Sequence, residues 1–406
     1  SVGYNVVNEK KIAFIVCVNN EQYFNECVWY INRLIIPENV SIDIIGIREA
    51  ESMCAAYQAG MVSSDAKYKI YLHQDVMIRN SHFLEDIIKL FDENPRIGML
   101  GMIGGTHMPK TGVSYRAWNV GVVDCRDPDM SYYLEGAKDM NQEDTIVEAV
   151  DGLLIATQYD IQWREDLFTH FDFYDVSQSF EMRKAGYNVL VPYQKIPWVI
   201  HDSGFAKLKF YDEERRKCLE EYSDFFYAEN GFAFSYDKEW NELSDVLANQ
   251  LQQLIARGNW REAEILIKSY RSAGRKSSAL EVIGILIDIH EKELSSEEKI
   301  GFFTGCSNFQ SIYEKYNTVR FLLRRMELGF EKESYAELRS AALCEEISCE
   351  ALVEIVLHAV VDKAIVMQGL ESIYLEAGAE KNAQKCRQIY ELVCAKPLPV
   401  AYCQKK

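Results

Sequence analysis

Residues 68–78 read YKIYLHQDVMI, an apolar and β-prone run that continues into a His-x-Asp triplet. Its first half lacks glycine and proline, which predicts a buried strand. In open α/β sheets ligands bind at the carboxyl ends of the strands, and His73 and Asp75 come directly after this strand. The two residues are therefore a candidate metal-ligand pair. An aspartate in this position is also a common turn former, so both interpretations stay open here.

Strands and helices alternate on both sides of this stretch. Continuous apolar runs predict further strands over residues 11–18 and 41–47, and helical spacing of apolar residues predicts helices over 21–35, 53–61 and 83–91. Parallel strands need helical crossovers, and three strand–helix units fall within about the first 95 residues. The pattern predicts a doubly wound, mostly parallel α/β sheet.

The chain between residues 97 and 204 extends the same domain. Further strands are predicted over 97–103, 146–157 and 188–192 and before His201, and the aromatic stretch after 105 is typical of a functional loop. A helix is predicted over 175–186, with Asp175 or Ser177 as its N-cap and Gly186 at its C-terminal end.

After about residue 208 the strand pattern stops. Amphipathic helices are predicted over 246–256, 260–272, 279–291, 313–328, 335–344 and 352–374. The sequence therefore predicts an α/β domain over 1–208, a helical linker or extension over 209–244, and an all-α domain over 245–406. No repeat of fixed period is found, so helix-hairpin repeats and an irregular helical bundle both remain open.

Composition limits the kinds of partner. The net charge is −18 and the pI is about 5.0, which argues against binding to nucleic acid through its phosphates. The eleven cysteines include no CxxC pair, so reduced thiols in the cytoplasm are expected. No apolar run predicts a signal peptide or an integral membrane segment. We expect a cytoplasmic protein, with peripheral attachment to a membrane left open.

Five motifs in series resemble a known enzyme family. They are YLHQDV at 71–76, GMLGMIG at 98–104, VDG at 150–152, FYD at 173–175 followed by AGY at 185–187, and HDSG at 201–204. In this order the motifs resemble family 2-like glycosyltransferases of the GT-A fold, in the bacterial branch with His-Gln-Asp in place of the DxD motif. The resemblance covers roughly residues 10–210 and excludes the helical half.

The resemblance implies a metal-dependent, inverting transferase that moves a sugar from a nucleotide donor, expected to be a UDP-sugar. Asp75 and His201 are the expected metal ligands, and His73 is expected to bind the donor or support the turn. Imidazole plus carboxylate suits Mn²⁺ better than Mg²⁺, which remains the second choice. For His201 alone, a buried structural histidine is the competing interpretation.

The same resemblance assigns acids to catalysis. An inverting transferase needs a carboxylate that takes the proton of the acceptor hydroxyl, and Asp175 is the expected base, with Asp172 as the alternative. A purely structural N-cap role for Asp175 remains open. Asp151 is expected to bind sugar hydroxyls, or else to form a turn.

Nucleotide recognition is expected from the ends of the first two strands, as in other doubly wound sheets. Val18, Asn19 and Asn20 follow the first strand, and Arg48 and Glu49 follow the second. Trp118 and Tyr174 are the candidate acceptor-binding aromatics, although core packing would equally explain Trp118.

The expected partners are a nucleotide-sugar donor and a glycan or protein acceptor. The helical domain would bind the acceptor, a protein partner or a second copy of the chain. A catalytically silent GT-A domain in a helical protein-binding scaffold is the alternative from another functional class.

Overall fold

The computed structural model describes residues 6–114, 117–124, 143–202, 210–229, 250–251, 254, 257–272, 287, 317–329, 331–344, 347–358 and 361–395. Contacts divide them into two compact units, one holding the described residues up to 229 and the other those from 250 onward. The first unit is α/β and the second is helical throughout its described residues. The predicted fold class is confirmed.

The first unit contains twelve strands and five α-helices among its described residues. The strands are β1 Asn8–Val18, β2 Ser41–Arg48, β3 Ala66–His73, β4 Val76–Ile78, β5 Ile97–Gly101, β6 Ile103–Gly105, β7 Val120–Gly121, β8 Thr145–Val147, β9 Ala149–Val150, β10 Leu154–Thr157, β11 Asn188–Val191 and β12 Val199–His201. The helices are α1 Glu21–Ile31, α2 Met53–Val62, α3 Phe83–Glu93, α4 Tyr174–Lys184 and α5 Tyr211–Glu221, with a 3-10 turn at Ser223–Phe225.

The main sheet has seven strands in the order β2-β1-β3-β10-β5-β11-β8. Strand β1 pairs in parallel with both β2 and β3, in a register that sets Cys17 opposite His73 and Val18 opposite Arg48. Because helices α1 and α2 provide the crossovers, the three strands run the same way and end at the same edge. The residues that follow these strands are therefore neighbours.

Strand β10 runs antiparallel between β3 and β5, and Leu154 at its start is opposite Leu72 near the end of β3. The sheet is accordingly mixed, with three of its six pairings antiparallel. This reversal places the loop before β10, which holds Asp151 and Gly152, beside the end of β3.

Helix α2 packs closely against β1. A Cβ atom at Gly60 would lie 2.3 Å from Ile15 Cγ2, so only glycine allows this approach of helix to strand. Ile15 is fully buried, as are its neighbours on β1. Burial of such a side chain stabilises the fold by about 1.5–3 kcal/mol relative to leaving it exposed. The core therefore forms directly beneath the edge where β1 and β3 end.

Two small sheets complete the unit. Strand β12 pairs antiparallel with β4, so that His201 is opposite Val76, and β6 joins β7 and β9 in the other small sheet. Strand β4 follows β3 after a two-residue turn, Gln74 and Asp75. Pairing with β4 therefore carries His201 to the end of β3.

Helix α4 starts one residue earlier than predicted and without a side-chain cap. Its N-cap is Phe173, in the left-handed region with φ of 60°, and the predicted caps Asp175 and Ser177 both lie inside the first turn. The N-cap prediction is wrong because the turn is made by backbone geometry. Gly186 follows the helix with φ of 92°, as a C-terminal glycine does.

The helical unit contains α6 Trp260–Ser272, α7 Asn317–Glu327, α8 Glu331–Leu343, α9 Cys349–His358, α10 Lys363–Glu376 and α11 Glu380–Ala395. The helix predicted over 260–272 has the observed bounds. The single helix predicted over 352–374 is wrong, because Asp362 accepts a hydrogen bond from the Ile365 N–H and starts a new helix. Most of the predicted helices 246–256 and 279–291 lies outside the described residues.

Candidate functional site

Two histidines and an aspartate converge where β3 ends and β12 meets β4. One ligand atom from each of His73, Asp75 and His201 lies within 4.8 Å of the others. Asp75 Oδ1 is 3.4 Å from His201 Nε2 and 3.9 Å from His73 Nδ1. We call these three residues the strand-end cluster. The predicted metal ligands Asp75 and His201 are thus adjacent, and His73 joins them.

The donor set of the strand-end cluster fits a divalent cation. Asp75 Oδ1 is buried and accepts no hydrogen bond from any described residue. Leaving a buried acceptor unsatisfied is costly, and a bound cation would remove that cost. Burial lowers the pKa of His73, against the opposing effect of the Asp75 carboxylate. The neutral imidazole that results has the lone pair that a metal requires.

Backbone hydrogen bonds hold the cluster in place. The Asp202 N–H donates to the Asp75 carbonyl at 2.9 Å, and the His201 N–H donates to the Asp124 carbonyl at 3.0 Å. The buried Asp124 carboxylate in turn accepts a hydrogen bond from Arg79 at 3.0 Å. The candidate ligand residues Asp75 and His201, from distant parts of the chain, are therefore tied to their neighbours by backbone hydrogen bonds.

A pair of acids lies beside the strand-end cluster. The Gly152 N–H donates to Asp175 Oδ2 at 2.9 Å, and the Val176 N–H donates to Asp175 Oδ1 at 2.8 Å. Burial raises the pKa of Asp175 to about 7, the nearby Asp151 carboxylate adds to the rise, and the two N–H groups oppose it. A carboxylate that titrates near neutrality is suited to take up a proton from a substrate. Asp175 therefore has the properties of a general base.

The loop that carries Asp151 is fastened to the cluster. The His73 N–H donates to the Leu153 carbonyl at 3.0 Å, which holds the residues before β10 against the end of β3. The Tyr174 hydroxyl lies 2.5 Å from His73 Nε2, and Tyr174 itself is only 4% exposed. The segment that carries the candidate base Asp175 is thus in direct contact with the strand-end cluster.

The middle residue of the His-Gln-Asp triplet joins two strand ends. Gln74 Oε1 accepts hydrogen bonds from the N–H groups of Asn19 and Asn20, at 2.9 Å each. Asn20 also caps helix α1 by accepting hydrogen bonds from Gln22 and Tyr23. The two asparagines predicted at the donor site therefore lie next to the strand-end cluster.

The other predicted binding residues have the following surroundings. Arg48 forms a two-pronged ion pair with Glu21, at 2.5 and 2.9 Å. Glu49 follows it with φ of 56°, and Val18 is buried beside the strand end. Trp118 is only 1% exposed, so its ring packs in the core. Donor and acceptor contacts of these residues stay predictions.

A second group of histidine and acids lies between the loop before α4 and helix α5. His170, Glu213 and Glu214 each offer a ligand atom within 4.8 Å of the others. Lys217 binds both glutamates, at 3.1 Å and 2.8 Å. We call these three acid and histidine residues the lysine-paired cluster. Asp172, the alternative base, is its neighbour: burial raises the pKa of Asp172 to about 6, and Glu214 adds to the rise.

Sequence reasoning missed three contributions to the site. Gln74 joins two strand ends by hydrogen bonds, the Gly152 N–H donates to the candidate base Asp175, and the Tyr174 hydroxyl contacts His73. The position of Gln74 between His73 and Asp75 was the available signal. The contact of Gly152 with Asp175 depends on the antiparallel insertion of β10, which has no local signature.

Comparison with known proteins decides the family. Residues 13–222 match the sequence profile described as "Glycosyltransferase like family". The chain belongs to this family. It is a glycosyltransferase, and the match spans both the strand-end cluster and the two candidate bases. The match also confirms the predicted resemblance to family 2-like glycosyltransferases.

The other comparisons add little. No curated protein matches the chain. Among solved structures, the crystal structure of A197 from STIV matches with 10% sequence identity and a TM-score of 0.28, over 49% of this chain and 86% of that chain. A likeness this weak carries no argument. Of the helices that the structure describes, none is both long enough and apolar enough to cross a bilayer.

Proposed function

We propose that this glycosyltransferase is a metal-dependent, inverting enzyme that uses a nucleoside-diphosphate sugar, expected to be a UDP-sugar. The acceptor is a hydroxyl of a carbohydrate or a protein. The chain works in the cytoplasm, and its helical unit binds the acceptor, a partner protein or a second copy of the chain. The free thiols of the described cysteines are in keeping with a reducing compartment.

One observation carries the proposal: the strand-end cluster and the acid pair share one edge of the sheet. Asp75 and His201 contact each other at 3.4 Å, and Asp175 binds the loop that is fastened to His73. A transferase needs both a place for a charged diphosphate and a base near the sugar. A chain with net charge −18 needs local positive charge to hold that diphosphate.

A divalent cation held by Asp75, His201 and His73 would stabilise the negative charge that develops on the leaving nucleoside diphosphate. Two imidazoles and one carboxylate suit Mn²⁺ better than Mg²⁺, which prefers an all-oxygen shell. Gln74 orders the adjacent strand ends, where the nucleobase and the ribose of the donor are expected to bind.

The Asp175 carboxylate takes the proton of the acceptor hydroxyl while the oxygen of that hydroxyl forms a bond to the anomeric carbon. The bond between that carbon and the diphosphate oxygen breaks on the opposite face, which inverts the configuration. The N–H groups of Gly152 and Val176 fix the carboxylate in one orientation. Orientation of this kind lowers the barrier by removing the entropy of positioning.

The test is a panel of nucleotide sugars with the full chain, with and without Mn²⁺, in which release of the nucleoside diphosphate is measured. We expect one donor to be turned over, with dependence on Mn²⁺, and the Asp75→Asn variant to lose at least about 100-fold in rate. The product anomer, read by NMR, should have the inverted configuration.

Asp65→Asn is the matched control. Asp65 is an aspartate that pairs with Lys11 at the opposite end of β1, so its loss should leave turnover unchanged. Equal rates for the parent and Asp75→Asn would contradict metal dependence. Pyrophosphate release in place of the nucleoside diphosphate would identify a nucleotidyltransferase instead.

A further inference from the structure

His73 has a different partner for each of its ring nitrogens. Its Nε2 lies 2.5 Å from the Tyr174 hydroxyl, and its Nδ1 faces Asp75 Oδ1 at 3.9 Å. The rings of His73 and His201 are 5.5 Å apart between centroids. The imidazole therefore sits between a buried phenol and the point where the other two ligands converge.

Only one nitrogen of a neutral imidazole carries a proton, and the other presents a lone pair. In metal sites the ligand nitrogen uses its lone pair, while the other nitrogen donates its N–H to an outer partner that fixes the ring. A phenol oxygen can accept as well as donate a hydrogen bond. Tyr174 can therefore accept the Nε2–H of His73, which leaves the lone pair of Nδ1 directed toward Asp75.

We propose that Tyr174 is a positioning residue that holds His73 in the Nε2–H tautomer, so that His73 Nδ1 is the third protein ligand of the divalent cation. This assignment rests on the metal dependence proposed above. It gives Tyr174 a role other than acceptor binding, and it names Nδ1 as the ring nitrogen through which His73 would bind the cation.

The fold allows the Tyr174 ring this path and few others. A Cβ atom at Gly152 would lie 2.2 Å from the Tyr174 hydroxyl oxygen, so the absence of a side chain there makes room for the ring. The ring of Tyr57 packs edge-on to that of Tyr174, with 5.8 Å between centroids. The left-handed turn at Phe173 sets the direction in which the helix and its first side chain leave the loop.

The position of Tyr174 also links two parts of the reaction. Tyr174 directly precedes the proposed base Asp175, whose carboxylate binds the N–H of the same Gly152. One short segment thus orients the base with its second residue and a metal ligand with its first. Loss of the Tyr174 hydroxyl should therefore weaken metal binding more than it changes the orientation of the Asp175 carboxylate.

The experiment measures Mn²⁺ binding to the full chain without substrate, by the EPR signal of free Mn²⁺. We expect Tyr174→Phe to weaken Mn²⁺ binding by about 10-fold, the size typical of a lost outer partner of a ligand. Tyr57→Phe is the matched control: it removes a hydroxyl from the adjoining buried tyrosine, and that hydroxyl has no hydrogen bond among the described residues. It should change the Kd by less than about twofold.

Two further measurements separate positioning from a general structural role. In a His73→Ala background, Tyr174→Phe should have no additional effect on the Kd, because Tyr174 acts through His73. Long-range ¹H–¹⁵N spectra of the metal-free parent should give the Nε2–H tautomer for His73, and those of Tyr174→Phe should give a mixture. Equal thermal unfolding of Tyr174→Phe and Tyr57→Phe would verify that both variants are folded.

The outcomes are distinct. Two results would overturn the assignment of Tyr174 alone. One is that the parent binds Mn²⁺ and Tyr174→Phe binds it with the same Kd. The other is that His73 in the metal-free parent carries its proton on Nδ1. Parent chain that binds no divalent cation would overturn the metal dependence under the proposed function as well.

Discussion

The strand-end cluster and the lysine-paired cluster contain similar side chains in different electrostatic surroundings. Each brings histidine and carboxylate ligand atoms within 4.8 Å of one another. In the lysine-paired cluster, Lys217 already binds both glutamates. At the strand ends, no lysine or arginine among the described residues pairs with Asp75. Each cluster holds one buried carboxylate oxygen that accepts no hydrogen bond from the described residues, so the ammonium group of Lys217 is what distinguishes them.

The difference shows that ligand types and spacing do not define a metal site by themselves. A carboxylate that is already neutralised by an ammonium group gains little from a second cation and would first have to displace the lysine. Asp75, which pairs with no lysine or arginine among the described residues, would gain more from a bound cation. The same division separates the two candidate bases, because Asp175 adjoins the strand-end cluster and Asp172 adjoins the lysine-paired cluster.

The largest expected effect comes from the candidate bases. Asp175→Asn keeps the shape of the side chain and removes its capacity to take a proton, so kcat should fall by about 10²–10⁴-fold. Asp172→Asn should change kcat by only a few fold. Steady-state kinetics with the donor identified in the panel measure both. A larger loss in Asp172→Asn would transfer the role of base to the lysine-paired side.

Replacement of the histidines compares the two clusters directly. His201→Ala removes a ligand and should weaken Mn²⁺ binding by at least about 100-fold, the upper end of the loss seen for outer partners. His170→Ala, the corresponding change in the lysine-paired cluster, should leave the Kd unchanged. Calorimetric titration measures both variants. Equal losses would mean that both clusters bind the metal.

The pH dependence of kcat/KM should follow Asp175. Below its pKa of about 7 the carboxyl is protonated and cannot accept the acceptor proton, so kcat/KM should fall about tenfold for each pH unit below 7. A break nearer pH 6 would instead match Asp172. Asp172→Asn serves as the control, since the break should keep its position in that variant.

The smallest effect on catalysis is expected from Lys217→Met. Glu214 is fully buried and would lose the ammonium group at 2.8 Å, so the free energy of unfolding should fall by about 1–3 kcal/mol. Turnover of the folded enzyme should stay unchanged. Urea unfolding and kinetics measure the two quantities. If Lys217→Met binds an additional Mn²⁺ at Glu213 and Glu214, then Lys217 is what excludes a cation from the lysine-paired cluster.

Local sequence patterns predicted the parts of the structure that depend on residues close together in the chain. The apolar runs of β1 and β3, the crossover helices and the helix Trp260–Ser272 all have strong periodicity, and the His-Gln-Asp triplet marks the strand end directly. The break before Lys363 was missed because apolar spacing continues across it, while the cap at Asp362 ends one helix and starts another.

Contacts between distant segments could not be read in the same way. Nothing in the residues of β10 predicts that it runs antiparallel to β3, yet this pairing helps to bring Asp151 and Gly152 to His73. The resemblance to family 2-like glycosyltransferases implied that Asp75 and His201 would lie together. The distance between Asp75 and His201, and the contact of the Tyr174 hydroxyl with His73, could be known only from the structure.

The pairing of β12 with β4 has a consequence for the order in which the enzyme is made. Asp75 leaves the ribosome long before His201, and His201 reaches it only when β12 adds to β4. Because domains fold in stages during synthesis, a nascent chain that ends before Val199 lacks β12 and with it the proposed ligand His201. Under the proposed function, the divalent cation would therefore bind only after the chain has been translated as far as His201.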